Sequence, residues 1–249
     1  MDPVSRLERR VEEQLAHLDA LFGGAEQRYA LIGATAILLQ GIVLPRTTRD
    51  LDLAVSVEHD LDEVRTLLET HGLRSTTIRH RFTAEDGVEI DILPIRPGTD
   101  RVELPGGESI SRVGLDEAIA AGLRVALHDG GVFVAPLPVL ASIKLYVATT
   151  RSGGHDLGDA LALLEQYESA GVRRFDIDYL EERDLSWEAA GAWLAGRDAK
   201  RILRRESSTA TLTAVEQLLG DVRLSERFTR GPENRALLAA FHAGLAHTS

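Results

Sequence analysis

The chain has 249 residues, of which 44% are hydrophobic and 27% are charged, and it contains no cysteine. These proportions are typical of a globular protein with a substantial core, and the lack of cysteine excludes disulfides and thiolate zinc sites. The net charge of −11 repels nucleic acid from the molecule as a whole. A polynucleotide substrate would therefore require a local basic surface or a bound metal ion.

Neither a membrane span nor a secretory signal is expected. All apolar runs are shorter than the roughly 20 residues that a membrane-spanning helix needs. The first ten residues, MDPVSRLERR, lack the apolar core of a secretory signal. We therefore expect a cytoplasmic protein.

The first segment predicts a helix followed by a strand–turn–helix unit. Apolar residues recur at three- and four-residue steps over residues 4–21, which is typical of an amphipathic helix that ends at Gly23-Gly24. Residues 29–32 then predict an apolar strand, which leads through Gly33 into a short helix over residues 34–40.

A second strand, residues 50–55, carries acidic side chains on one face. Side chains alternate along a strand, so Asp50 and Asp52 point to one side and the apolar residues point to the other. Two carboxylates on one face of an apolar strand cost free energy unless they are paired or bound to a cation. This pattern is the first indication of a metal site.

A third acidic position follows in a predicted hairpin. Two strands, residues 75–83 and 88–95, meet at Asp86-Gly87, which is a strong hairpin signal. Asp91 lies in the second of these strands and shares a face with Glu89. If this strand neighbours the first acidic strand, the two backbones lie about 4.8 Å apart.

The second half of the sequence is predicted to be helical. Periodicity and glycine breaks predict helices near residues 60–72, 115–123, 137–149, 155–169, 176–183, 186–195, 198–206, 209–219 and 232–246. Residues 97–113 are predicted to be mostly loop, and residues 124–134 a small hairpin. The composition shift near residue 136 predicts an α/β domain over residues 1–135 and a helical domain over residues 136–249. The aromatic residues Tyr179, Trp187 and Trp193 are predicted to lie in the helical core.

Asp50, Asp52 and Asp91 together predict a magnesium site. Carboxylate oxygens are the ligands that Mg²⁺ prefers, and the ion also binds substrate phosphates. Two ions held by shared carboxylates serve in-line nucleotidyl transfer, since one activates the attacking hydroxyl and the other stabilises the leaving pyrophosphate. Gly33 would let a phosphate approach the backbone at the start of a helix, and Thr35 would add a hydroxyl donor.

Three motifs resemble those of a known family. Gly33-Ala34-Thr35, Arg46-x-Thr48-x-Asp50-Leu-Asp52 and Glu89-Ile-Asp91 resemble the nucleotidyltransferase superfamily (polymerase-β-like), and within it the AbiEii-type nucleotidyltransferases, which include toxins of bacterial toxin–antitoxin systems. A weaker segment, Lys144 followed by His155-Asp156 and Asp159, resembles downstream family elements. The resemblance implies a mixed-sheet α/β nucleotidyltransferase domain with a helical C-terminal region. It also implies transfer of a nucleoside monophosphate from an NTP to an acceptor hydroxyl.

The resemblance further implies roles for single residues. Asp50 and Asp52 would bind both magnesium ions, and Asp91 would be the third metal ligand and the base. The residues implied in catalysis are Asp50, Asp52, Asp91 and Lys144. The residues implied in nucleotide binding are Gly33, Thr35, Arg46, Lys144 and Asp156. Two positions depart from the family pattern, because Ala34 stands where a second Gly or a Ser is usual and His155 where a basic residue is common.

The acceptor stays open at this point. The family favours a tRNA 3′ end or a protein side chain, with a cognate antitoxin as partner, and a small molecule such as an aminoglycoside is the alternative. The basic runs at residues 74–81 and 200–205 favour RNA or are solvated faces, whereas the net negative charge favours a small or protein acceptor. A catalytically silent protein that binds a nucleotide or a partner is the alternative from another class. The complete set of three acids disfavours it.

Overall fold

A computed structural model describes residues 8–98, 101–103, 109–150, 155–169, 171–178, 185–221 and 231–247. The chain forms two compact units. The first contains the residues up to Gly41 together with Arg46–Pro136, and the second contains Ile42–Pro45 together with the residues from Leu137 onward. The first unit is a mixed α/β sheet and the second is helical, so the predicted α/β fold class with a helical C-terminal region is confirmed. The predicted division into domains after residue 135 stays a prediction.

The described part of the first unit contains four helices and nine strands. In chain order they are α1 (Arg9–Gly24), β1 (Tyr29–Ile32), α2 (Gly33–Leu39), β2 (Leu51–Ser56), α3 (Leu61–Thr70), β3 (Arg74–Ser75), β4 (Arg81–Thr83), β5 (Glu89–Ile95), β6 (Arg101–Glu103), β7 (Ser109–Ser111), α4 (Leu115–Ala120), β8 (Leu123–Leu127) and β9 (Gly130–Val134). The helix predicted from residue 60 begins as expected, because the Asp60 side chain caps it by accepting a hydrogen bond from the backbone N–H of Asp62 at 2.9 Å.

Seven strands form one sheet in the order β3–β4–β5–β2–β1–β9–β8, and β6 pairs with β7 in a separate ribbon. Strand β2 lies in the middle, antiparallel to β1 and parallel to β5. Its apolar residues, Leu51, Leu53 and Val55, are fully buried, as expected of a strand covered on both faces. Asp52 interrupts this buried run with partial exposure.

The strand register aligns the acidic residues. Asp52 of β2 is the register partner of Asp91 of β5, and Ile32 at the end of β1 is the register partner of Asp52 on the other side. The hairpin predicted at Asp86-Gly87 is present and pairs β4 with β5. Its first strand is shorter than the predicted 75–83, because residues 76–80 turn the chain between β3 and β4. The prediction that the two acidic strands are neighbours is therefore confirmed.

The second unit contains the remaining helices. They are α5 (Leu137–Thr150), α6 (His155–Gln166), a short 3-10 helix (Val172–Asp176), α7 (Ala190–Ile202), α8 (Arg205–Gly220) and α9 (Gly231–Ala246). Helix α7 packs against α9, and α5 packs against α6, α7 and α8. Across the described residues, no helix has both the length and the apolar character that crossing a membrane requires.

Two helix predictions in this unit are wrong, and one falls partly outside the described residues. The helices predicted at 186–195 and 198–206 are replaced by the single helix α7, which ends at Ile202. Gly196 lies inside α7 and does not end the helix. Its missing side chain allows the backbones of α7 and α9 to pack closely. The helix predicted at 176–183 does not begin there, since Ile177 is extended and ends the 3-10 helix. Residues 179–183 lie outside the described residues.

The predicted core positions of the aromatic residues are confirmed for one residue and wrong for another. Trp193 is buried, as predicted. Trp187 is 43% exposed and its ring lies 4.8 Å from that of Phe175, so its predicted core position is wrong. Tyr179 lies outside the described residues.

We expect Gly196→Ala to lower the free energy of unfolding by about 3 kcal/mol, because the new methyl group would overlap the backbone carbonyl of Phe241 and lie 2.7 Å from the Leu245 nitrogen. The matched control is Gly158→Ala, since nothing surrounds that position in α6 and alanine favours a helix by about 1 kcal/mol over glycine. Urea denaturation measures both changes. Equal stability of the two variants would contradict this packing.

Candidate active site

Gly33 brings the backbone against the Asp52 carboxylate at the end of strand β1. Gly33 has a φ of +75°, in the left-handed region that favours glycine, and it starts helix α2. A Cβ at this position would overlap Oδ2 of Asp52 and lie 2.9 Å from its Cγ. Both the turn and the neighbouring carboxylate therefore require glycine here.

Asp50 lies just before strand β2 and is held as a carboxylate. The Thr48 hydroxyl donates a hydrogen bond to its Oδ1, and the Thr35 hydroxyl donates to its backbone carbonyl at 2.9 Å. Burial raises the pKa of Asp50, but hydrogen bonds from Thr48 and from backbone N–H groups, together with the charge of Arg46, lower it by more. The net pKa lies below the ordinary value, so Asp50 is ionised at neutral pH.

Thr35 and Arg46 therefore act on Asp50 in this structure. Thr35 is almost fully buried, and its hydroxyl fixes the backbone at Asp50. Arg46 contributes positive charge that favours the ionised form of Asp50. Their predicted contacts with the nucleotide stay predictions, as does the contact predicted for Gly33.

Asp91 is bound by Arg81, a residue that the sequence pattern places only in a basic run. The Arg81 guanidinium donates from Nε to Oδ1 and from Nη2 to Oδ2 of Asp91, each at 2.7 Å, and from Nη1 to Glu89 at 3.0 Å. This two-point geometry is the strong form of an arginine–carboxylate pair. The hydrogen bonds to Asp91 raise the pKa of Arg81 far above its ordinary value, although burial lowers it.

The sequence signal for this pair is the hairpin itself, without its exact register. A two-residue turn at Asp86-Gly87 would pair residue 82 with residue 91, whereas the observed register is centred on Asp86 and pairs residue 83 with residue 89 and residue 81 with residue 91. Two residues that face each other across an antiparallel pair have neighbouring side chains. The Arg81–Asp91 pair therefore follows from the hairpin once its register is fixed.

Asp50, Asp52 and Asp91 lie on neighbouring strand positions, as predicted, but their carboxylates do not converge. Among the described residues, no three His, Asp or Glu side chains are grouped closely enough to hold one metal ion. Asp91 is directed instead at Arg81. The chemistry of the set nevertheless fits a hard cation, since it offers carboxylate oxygens, at least one of them on a group held ionised. Binding by all three acids would require Asp91 to turn from Arg81.

The second unit contains the remaining predicted site residues in a separate cluster. The Lys144 ammonium donates to Oδ1 of Asp156 at 2.6 Å and lies 3.1 Å from Oδ2 of Asp159. Lys144 is 8% exposed and Asp159 is fully buried. Burial lowers the pKa of Lys144, but the two carboxylates raise it by more, so the net pKa is raised. The nucleotide contacts predicted for Lys144 and Asp156 stay predictions.

We expect Gly33→Ala to lower the free energy of unfolding by about 3 kcal/mol, of which roughly half is left-handed backbone strain and the rest is overlap with Asp52. Gly87→Ala is the matched control, because its φ is +86° but nothing lies near the new methyl group. In an Asp52→Ala background the cost of Gly33→Ala should fall most of the way to that of Gly87→Ala, because only the contact with the Cβ of residue 52 at 3.1 Å stays. Urea denaturation of the four variants measures this, and an unchanged cost would contradict the contact.

We expect Lys144→Met to lower the free energy of unfolding by about 4 kcal/mol, since it leaves the Asp159 carboxylate buried without its cation. Adding Asp159→Leu should restore most of the loss. Because the pKa of Lys144 is raised, its contribution is complete below the ordinary lysine pKa of about 10.4 and is lost as the pH rises through the raised value. Denaturation at pH 7 and near pH 11 tests this, and a loss below about 1 kcal/mol at pH 7 would contradict a structural ion pair.

Several solved structures are similar to this chain at low identity. An antigenic nucleotidyltransferase-like protein from Paracoccidioides brasiliensis is 18% identical with a TM-score of 0.44, over 62% of this chain and 75% of that one. The lincosamide antibiotic adenylyltransferase LnuA, solved with lincomycin, is 18% identical with a TM-score of 0.42, over 61% and 95%. JHP933 from Helicobacter pylori is 14% identical with a TM-score of 0.41, over 96% and 94%.

A family model matches most of this chain, whereas no curated protein matches it. The family described as "Nucleotidyl transferase AbiEii toxin, Type IV TA system" matches residues 18–216. The matched segment includes Gly33, the three acids Asp50, Asp52 and Asp91, and the cluster around Lys144. The matched residues cover most of this chain, so the chain belongs to the AbiEii family and is a nucleotidyltransferase.

Proposed function

We propose that this chain transfers a nucleoside monophosphate from an NTP to the 3′-terminal hydroxyl of an RNA, foremost a tRNA, as the toxin of a toxin–antitoxin pair. The observation that carries this proposal is the alignment of Asp52 with Asp91 on parallel strands, with Asp50 held ionised just before Asp52. The family membership supports nucleotidyl transfer and a toxin role. A cognate antitoxin is the expected protein partner.

In the proposed reaction, the acceptor oxygen forms a bond to the α-phosphorus of the NTP. The bond from the α-phosphorus to the oxygen that bridges to the β-phosphate breaks, and the leaving group is pyrophosphate. The proton of the acceptor hydroxyl passes to Asp91, the proposed base. Arg81 donates to both Asp91 oxygens, so the proton would go to a lone pair that Arg81 does not use.

The carboxylates are proposed to hold magnesium, with two ions as the expected number. Bound Mg²⁺ would neutralise phosphate charge and make the acceptor hydroxyl easier to deprotonate. Asp50 is prepared for this role by Thr48 and Arg46, which keep it ionised despite its partial burial. Asp52, on β2, lies beside the last residue of β1, and its carboxylate is close to the Gly33 backbone.

The RNA acceptor is supported by exposed positive charge on β3 and on the turn that joins it to β4, next to Arg81. Arg74 and Arg79 are exposed there, although the chain as a whole is acidic. Arginine side chains bind RNA phosphates, and a local cluster of them offsets long-range repulsion. Arg81 itself does not contribute to this surface, since it is bound to Asp91 and Glu89.

The test is labelling of acceptors with each α-³²P-NTP in turn, in the presence of Mg²⁺ and total cellular RNA. We expect label in tRNA-sized RNA, and we expect Asp50→Asn and Asp52→Asn each to reduce it by about a thousandfold, because each removes a carboxylate charge from the metal site. Asp62→Asn is the matched control, since Asp62 is an exposed acid of the same unit, paired with Arg65.

The other outcomes are equally informative. Label in protein, or in a small molecule with none in RNA, would contradict the RNA acceptor. Label that survives in both the Asp50 and the Asp52 variants would contradict the proposed site. An absence of label under all conditions would favour a nucleotide-binding protein without transfer activity.

A further inference from the structure

Arg81 neutralises the third carboxylate of the proposed metal site. Both oxygens of Asp91 accept hydrogen bonds from its guanidinium at 2.7 Å, and a third bond goes to Glu89 at 3.0 Å. The Asp91 side chain is 14% exposed and that of Arg81 is 29% exposed, so the pair is shielded from most solvent. Such a planar, two-point pair is stronger than an exposed surface ion pair.

The fold fixes this arrangement. Arg81 and Asp91 are register partners across β4 and β5, and the next pair in the same hairpin is Thr83 with Glu89. On its other side, β5 is in register with β2 at Asp52. The guanidinium therefore reaches the acidic group from the adjacent strand, and its position follows from the backbone pairing.

A divalent cation on Asp91 would compete with this guanidinium. While Arg81 holds both Asp91 oxygens, the three carboxylates do not converge, so a shared ion requires Asp91 to turn from Arg81. The ion would also bring two positive charges close to the guanidinium. The charge of Asp50 also raises the pKa of Arg81, by less than Asp91 does. Arg81 and a divalent cation can therefore each compensate the negative charge of Asp91.

We infer that Arg81 is an internal counter-ion for the acidic group, and that a divalent cation binds Asp91 only by displacing at least one arm of this guanidinium. This inference rests on the proposed function, because it assumes that Asp91 takes part in the metal site. It makes Arg81 a positioning residue. Arg81 holds Asp91 in place before the cation binds, and it sets the affinity for the cation by competing with it.

The test measures Mn²⁺ binding by electron paramagnetic resonance and calorimetry, without nucleotide or acceptor. Removing the competing charge with Arg81→Gln should tighten Mn²⁺ binding by about tenfold relative to the unsubstituted protein. Arg81→Lys keeps the charge but loses the two-point geometry, so its affinity should lie between the two. Arg79→Gln is the matched control, because it removes the same charge from an exposed position two residues away, and it should change the affinity by less than about twofold.

A second readout separates this role from a purely structural one. Arg81→Gln should lower the melting temperature without cation, because it leaves the partly buried Asp91 carboxylate without its guanidinium partner. Saturating Mn²⁺ should raise the melting temperature of Arg81→Gln by more than that of the unsubstituted protein, since tighter binding gives greater stabilisation. A purely structural Arg81 would lower the melting temperature equally with and without Mn²⁺.

The outcomes distinguish this inference from the proposed function. Unchanged or weaker Mn²⁺ binding in a folded Arg81→Gln, with binding intact in the unsubstituted protein, would overturn only the role of Arg81. If Arg81→Gln does not fold, Mn²⁺ binding by Arg81→Lys that is no tighter than in the unsubstituted protein would overturn that role in the same way. Mn²⁺ binding that is absent, or that persists unchanged in Asp50→Asn and Asp52→Asn, would overturn the proposed metal site and this inference with it.

Discussion

Negative charge at the centre of an apolar sheet is the constraint on which the first unit depends. Strand β1 is buried throughout and most residues of β2 and β5 are buried, yet Asp52 and Asp91 lie in register on β2 and β5 and Asp50 lies just before β2. Carboxylates in such surroundings require compensation. The Thr48 hydroxyl and the Arg46 charge act on Asp50, and the Arg81 guanidinium binds Asp91. An acidic group held in this way is suited to attract a cation.

The same principle recurs in the second unit with the opposite arrangement. There the Lys144 ammonium lies beside two carboxylates, one of them fully buried. In the first unit the acids are accompanied by the charge of Arg46 and by the guanidinium of Arg81. Both clusters lie within the segment that matches the AbiEii family. In each cluster an opposite charge lies within hydrogen-bonding distance of a buried or partly buried acid, Arg81 beside Asp91 and Lys144 beside Asp156 and Asp159, and this offsets the cost of burial.

Much of the first unit could be predicted because its signals are local. The two-residue alternation in β2 and β5, the Asp86-Gly87 turn and the Asp60 cap each depend on residues close together in the chain, and all are present. The helix boundaries around Gly196 could not be predicted, because that glycine is required by α9, which lies far away in the sequence. Helix propensity alone cannot distinguish a glycine that ends a helix from one that allows close packing.

In the candidate site the acidic residues could be predicted from the sequence, but their partners could not. Alternation and resemblance identify Asp50, Asp52 and Asp91, since acids on one face of apolar strands are distinctive. Arg81 was not identified, because its role depends on strand register and not on its own sequence context. The local surroundings of Lys144 likewise indicate an apolar helix, whereas its partners are provided by the next helix. Charge compensation across elements is the part of this structure that sequence patterns describe least well.

The most direct measurement is a crystal structure with Mn²⁺ and a non-hydrolysable NTP analogue, in which anomalous scattering locates the ions. We predict manganese bound by Asp50 and Asp52, with Asp91 turned towards an ion and at least one of its hydrogen bonds from Arg81 broken. Manganese bound away from these acids, or Asp91 still held at both oxygens by Arg81 beside a fully bound nucleotide, would contradict the proposed metal site.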